Sequence, residues 1–300
     1  MRRRYLFLTA LLVLSTMMPA CQEKKPSEPS KSTDLQNGSE VLSEIDIMIQ
    51  LPYFHQEYFS RYIAYMESNL DLTLEQVVTH VNVGLDFPYY SEEIMSEALN
   101  IGTNLFLVNK YHYLTADFVP AGLVTIAKDC TTRNLSLSEE AARAFEDLCR
   151  AAKKAGYPIL GMSAYRSYAY QQNLYNSYLA VDDQATVDTY SARPGHSEHQ
   201  TGLAIDVQDN TLPYNQFSET PSFQWALDNL HTYGFIIHYT PDKKFETGFM
   251  SEPWHFRYVG KEVATYLYTH NKNHPDDTLS LDEYIAREIS KPYSLAITAD

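Results

Sequence analysis

Residues 194–207 read Pro194-Gly-His-Ser-Glu-His-Gln-Thr-Gly-Leu-Ala-Ile-Asp-Val207. The first half is polar and punctuated by two glycines, and Leu203 to Val207 has the composition of a short strand. Three other segments share that pattern: Pro158 to Ser163, Phe235 to Tyr239 and His255 to Val259. Helical segments lie between them. Ala141, Ala144, Leu148 and Ala152 follow Leu137 at helical spacing, with Phe145 and Cys149 beside them and Gly156 closing the run. Ser136-Leu-Ser-Glu139 has the spacing of a capping box for that helix. A turn and a helix through Tyr170 to Leu179 come next, and Ser222 is the expected cap of a helix carrying Trp225 and Leu230 as far as Gly234. Strands and helices mix without a regular βαβ alternation. The expected fold is therefore α+β, an antiparallel sheet flanked by helices.

The chain has 300 residues, 44% of them hydrophobic and 20% charged, the composition of a folded globular protein. Its formal net charge of −15 excludes a nucleic-acid binder, which needs a basic face for the phosphate backbone. The 24 tyrosines suit a polar groove as well as a core, because each joins an apolar ring to a polar tip. Arg2, Arg3 and Arg4 precede an apolar stretch from Tyr5 to about Ala20. Residues 1–20 therefore read as a secretory signal, too short to cross a bilayer comfortably. Met18-Pro-Ala-Cys21 resembles a bacterial lipobox, which makes Cys21 the expected lipidation site; plain secretion is the alternative. Residues 21–44, rich in Lys, Ser, Glu and Pro, read as a disordered tether. The protein is then expected outside the cytoplasm, held to the membrane by its lipid. An acidic domain gains no hold on anionic lipid from its own surface.

Residues 45–103 read as a small N-terminal extension with a helix over Tyr58 to Met66 and another starting at Thr73 as its cap. Residues 104–300 form the expected catalytic domain. Cys130 and Cys149 are able to pair in an oxidising compartment, but the plainer expectation is two separate buried thiols, since Cys149 fits the apolar face of its helix.

Two clusters carry chemistry: the stretch quoted first, and Glu252-Pro-Trp-His255. A catalytic zinc takes about three nitrogen and oxygen ligands and keeps a position open for water. His199, Asp206 and His255 would provide that set. Water on such a metal ionises near pH ~7, and Glu252 could take its proton and pass it to a leaving amine. On a regular strand positions 252 and 255 face opposite sides, so Pro253 must break the strand for both to reach one ion. His196 reads as a pocket-wall or surface histidine. His55, His80, His112, His231, His238, His270 and His274 read as ordinary hydrogen-bonded histidines.

Three stretches together resemble the VanY-type zinc D-alanyl-D-alanine carboxypeptidases: Ser163-Ala-Tyr-Arg-Ser-Tyr-Ala-Tyr-Gln171, Pro194 to Asp206, and Glu252-Pro-Trp-His-Phe-Arg-Tyr-Val-Gly260. The resemblance covers roughly residues 104–270. It implies a zinc peptidase acting on the stem peptides of bacterial peptidoglycan, with Zn2+ on His199, Asp206 and His255 and with Glu252 as base. It also implies that Arg166 binds the terminal carboxylate of the substrate or stabilises the oxyanion. Gln171 and Ser197 fall at positions near the substrate. His238-Tyr239 departs from the pattern, which has Arg-Tyr there. An L,D-carboxypeptidase acting on tetrapeptide stems would share every motif, and an endopeptidase on the same stem is a weaker rival. A non-catalytic wall-binding lipoprotein would have lost a ligand or the base. A lipid-anchored solute-binding protein would leave both clusters without a purpose.

Overall fold

The computed structural model describes residues 44–289. The signal segment 1–20, Cys21 and the tether up to Ser43 lie outside the described residues. The described residues fall within one compact unit.

Among the described residues, eight strands run in chain order as β1 Ser96–Glu97, β2 His112–Tyr113, β3 Leu123–Thr125, β4 Ser136–Ser138, β5 Leu160–Ser163, β6 Ala204–Gln208, β7 Phe235–Ile237 and β8 His255–Tyr258. Four of them make the central sheet in the order β5-β6-β8-β7, every neighbouring pair antiparallel. β1 and β2 form a short parallel pair, and β3 and β4 an antiparallel one. The α+β architecture expected from the sequence is the one observed.

The helix Glu139–Ala155 turns Ala141, Phe145, Leu148 and Ala152 into the core, where Phe145 meets Phe235 of β7 edge-on at 6.2 Å. Ile205, Val207 and Phe256 of the sheet belong to the same cluster. Fully burying one such side chain contributes roughly 1.5–3 kcal/mol, so this face anchors the sheet that carries the site.

Three local expectations are corrected. Ser136 makes no capping box, because Ser136–Ser138 is committed to pairing with β3; Ser138 takes the N-cap position, its side chain makes no cap bond, and its N–H donates to Gly202 O at 2.9 Å. The helix Pro221–Asn229 is capped by Thr220 rather than Ser222, with Pro221 fitting the first turn where no N–H is needed. Cys130 and Cys149 are joined in a disulfide, Cα–Cα 5.8 Å, and are not separate thiols. The short 3-10 turn Lys128–Cys130 brings Cys130 alongside Cys149 of the helix, a contact that the spacing of the two residues does not reveal.

In the extension, Thr73 and Gln76 form a full capping box at the start of the helix Leu74–Val83. Tyr58 and Tyr62, at the end of a 3-10 turn and on the helix Phe59–Ser68, pack with Val77, Val78 and Val81. The last described helix, Leu281–Glu288, lies against Leu74–Val83, and Arg287 Nε donates to Thr79 Oγ1 at 2.8 Å.

Candidate active site

The central sheet fixes two of the three expected ligands. Asp206 on β6 and His255 at the start of β8 are direct register partners across the antiparallel pair, so both side chains stand on one face. His199 arrives from the 3-10 turn Glu198–Thr201, which Gly202 ends in the left-handed region at φ +73° before the chain enters β6. Gly195 opens the loop at φ +87°, and a Cβ there would meet Leu114 O at 2.7 Å, so only glycine fits.

His199 Nδ1 lies 2.7 Å from Ala164 O, while Nε2 is 3.3 Å from Asp206 Oδ1. His255 presents the other nitrogen: Nδ1 is 3.1 Å from the same Asp206 oxygen. One donor atom from each of His199, Asp206 and His255 falls within 4.8 Å of the others, and all three residues are buried. Two imidazole nitrogens and a carboxylate suit zinc, whose bonds of ~2.0–2.2 Å need only small side-chain shifts here. Glu252 sits in a turn closed by His255 N–H donating to Glu252 O at 3.0 Å, and the regular strand begins only at His255. Its Oε2 comes within 3.9 Å of His255 Nδ1.

Burial by itself would raise the Asp206 pKa, but His199 and Arg166 hold it well below the usual carboxylate range. Burial lowers His199 to about 4, leaving the neutral imidazole a metal requires. Burial disfavours a charged His255 too, yet its bonds to Asp206 and Glu198 raise it to about 10, so loading a metal displaces a proton. Glu252 is pushed up to about 7, first by burial, against the opposing charge of His255.

Arg166 follows β5 and lines the same cavity, about 230 Å³ in volume. Its Nε donates to Ser163 Oγ at 2.9 Å, and Nη2 donates to Asp206 Oδ2. Gln171, on the helix Tyr168–Leu179, donates to Ala192 O at 2.8 Å, and its Oε1 is buried without a hydrogen-bond partner. Ser197 is buried and lines the cavity. His196 is neither pocket wall nor surface: it is buried behind the loop, Nδ1 2.8 Å from Asn109 O and its ring edge-on to Tyr90. A larger cavity, about 1140 Å³, is lined by Phe223, Leu227 and Ile237 and shares only Trp254 with the site; none of the three ligands reaches it.

Sequence reasoning missed Glu198. Its Oε2 is 2.9 Å from His255 Nε2, and its Oε1 accepts from Arg257 Nη1. The only signal was an acid beside His199 inside the motif, and both of these partners come from β8.

A buried His-Asp-His donor set with a carboxylate beside it, mounted on an antiparallel sheet, defines a metallopeptidase site. The comparisons agree. The family model for VanY, D-alanyl-D-alanine carboxypeptidase, matches residues 134–261. The Bacillus subtilis protein YodJ, a carboxypeptidase by name, is 35% identical over 61% of this chain and 67% of its own. The bifunctional D-Ala-D-Ala dipeptidase and carboxypeptidase VanXYC of Enterococcus gallinarum is 35% identical over 52% of this chain and 83% of its own. Two other curated relatives are spanned over about half their length, 53% and 55%. Among solved structures, the LD-carboxypeptidase LdcB matches with TM-score 0.55 and 34% identity, covering 60% of this chain and 85% of that one. A D,D-pentapeptidase VanY variant in complex with Zn(II) matches with TM-score 0.51 and 31% identity, covering 61% and 98%. The chain belongs to the VanY family of D-alanyl-D-alanine carboxypeptidases. It is a zinc peptidase.

Proposed function

We propose that the protein hydrolyses the terminal D-alanine from peptidoglycan stem peptides, with His199, Asp206 and His255 as zinc ligands and Glu252 as general base. The convergence of those three donor atoms, with the part-buried Glu252 beside them, carries this reading. Zinc, when bound, supplies Lewis-acid stabilisation of the oxyanion and water that ionises near pH ~7. Glu252 accepts the proton of the attacking water and passes it to the departing amine, a role that a pKa of about 7 suits. Arg166 has two of its five N–H donors engaged, by Ser163 and Asp206, which leaves the others for the terminal carboxylate that a carboxypeptidase must recognise. Gln171 lines the same cavity, which supports its place near the substrate.

The likeness to LdcB favours a second reading, L,D-carboxypeptidase action on tetrapeptide stems. The zinc-loaded full chain is given pentapeptide and tetrapeptide stems separately, and D-alanine release is followed. Release from the pentapeptide alone supports the D,D reading, and release from the tetrapeptide alone replaces it with the L,D reading. Release from neither refutes both and leaves an endopeptidase on the same stem or wall binding.

The arginines ahead of the apolar segment and the lipobox-like Met18 to Cys21 support a lipoprotein on the outer face of the membrane. Cys21→Ser should abolish labelling by a fatty-acid probe and send the protein into the medium. Retained labelling would refute the anchor.

A further inference from the structure

We propose that Glu198 is a positioning residue for the metal site, and that it links His255 to Asp282 on the last described helix. The inference rests on His255 being a zinc ligand. An imidazole that binds metal through one ring nitrogen ordinarily gives the N–H of the other to a carboxylate or a carbonyl, which fixes its tautomer and its orientation. His199 uses Ala164 O in this way and turns Nε2 to the donor set. His255 must turn Nδ1 to the set, and Glu198 Oε2, 2.9 Å from Nε2, is the group that holds it so.

Glu198 is itself held. The Oε1 atom accepts from Arg257 Nη1 and lies 3.0 Å from His238 Nδ1, and both of those side chains are almost wholly buried. Arg257 is pinned in turn by Phe106 O at 2.7 Å and by Tyr258 O at 3.0 Å. On its far side His238 Nε2 is 2.8 Å from Asp282 Oδ2, and Asn109 Nδ2 donates to Asp282 Oδ1. The line Asp282–His238–Glu198–His255 therefore runs from the helix Leu281–Glu288 to the donor set, its His238–Glu198 step a 3.0 Å charge contact rather than an aligned hydrogen bond. Burying two carboxylates, a guanidinium and an imidazole stabilises a fold little compared with apolar side chains of the same volume. What this cluster contributes, and apolar packing could not, is a fixed direction for the His255 ring.

The role is tested in the full chain by zinc affinity, measured in competition with a chelator at fixed pH, alongside the urea midpoint of the metal-free protein. Glu198→Gln should weaken zinc roughly 10–100-fold. Asp282→Asn, which touches no ligand, should weaken it roughly 3–10-fold. His238→Arg, which still offers donors to both carboxylates, should stay within about threefold of the parent. The cobalt-substituted Glu198→Gln protein should also show a shifted absorption spectrum, which a purely structural role would not produce. If Glu198→Gln does not fold, Asp282→Asn decides alone. Unchanged zinc affinity in Asp282→Asn, with or without a lower urea midpoint, overturns the proposal. His255→Ala separates the two levels: lost zinc binding there, with unchanged affinity in the other variants, leaves the ligand set standing and removes the positioning role.

Discussion

Glu252→Gln isolates the base from the metal. The side chain is 15% exposed, and glutamine keeps its volume, so the cavity and its packing persist while the proton acceptor is lost. Removing a positioned base typically costs about 10²–10⁴-fold in rate, or roughly 3–5 kcal/mol at ~1.4 kcal/mol per decade. Glu252 is not among the three donors, so zinc content should stay at one ion per chain in the variant. The parent's pH profile gives an independent check. Only the ionised Glu252 accepts a proton, so activity rises with pH as this group ionises. Its pKa is about 7 without metal, and the added positive charge of zinc lowers it, which places the acidic limb below that value. The assay is D-alanine release between pH 5 and 9, reported as kcat and kcat/KM, with zinc content measured on the same samples. A fully zinc-loaded Glu252→Gln protein with kcat within tenfold of the parent would falsify the assignment, and so would an unchanged acidic limb in that variant.

Arg166→Lys keeps a charge but loses the planar fork, and should lower kcat/KM by roughly 10–100-fold, mostly through KM, while narrowing the preference for a free carboxylate over a terminal amide; unaltered discrimination would refute carboxylate recognition by Arg166. Replacing Cys130 and Cys149 by serine opens a cross-link between residues 19 apart and should destabilise by about 3 kcal/mol, read as a lower urea midpoint; a parent-like midpoint would show that the bond adds nothing. Burial holds His80 and His112 down to about 4 in the folded state, so between that value and their ordinary pKa the unfolded chain binds more protons. The contribution of these two histidines is then full above pH ~6.5 and declines as pH falls toward 4, by up to roughly 3 kcal/mol each, so a His80→Asn, His112→Asn protein should lose less urea midpoint than the parent between pH 7.5 and pH 5; an identical loss would contradict this.

The parts legible in the sequence were those set by short-range pattern. Leu203 to Val207 and His255 to Val259 read as strands from composition, and the turn at Pro253 follows from the geometry of proline. His199, Asp206 and His255 stood out because they lie inside those local patterns. What stayed hidden depends on residues brought together from a distance. Ser136 looks like a cap until β3 claims its backbone, and no spacing shows that the Lys128–Cys130 turn meets Cys149. Glu198 was invisible for the same reason: its value lies in His238, Arg257 and Asp282, each on a different element.

The register pairing of Asp206 with His255 has a consequence for synthesis. Side chains alternate between faces along a strand, so a slip of one residue between β6 and β8 would send one ligand to the opposite face. A nascent chain that stops short of β8 lacks the complete donor set. Metal occupancy would therefore count molecules in which β6 and β8 are correctly paired.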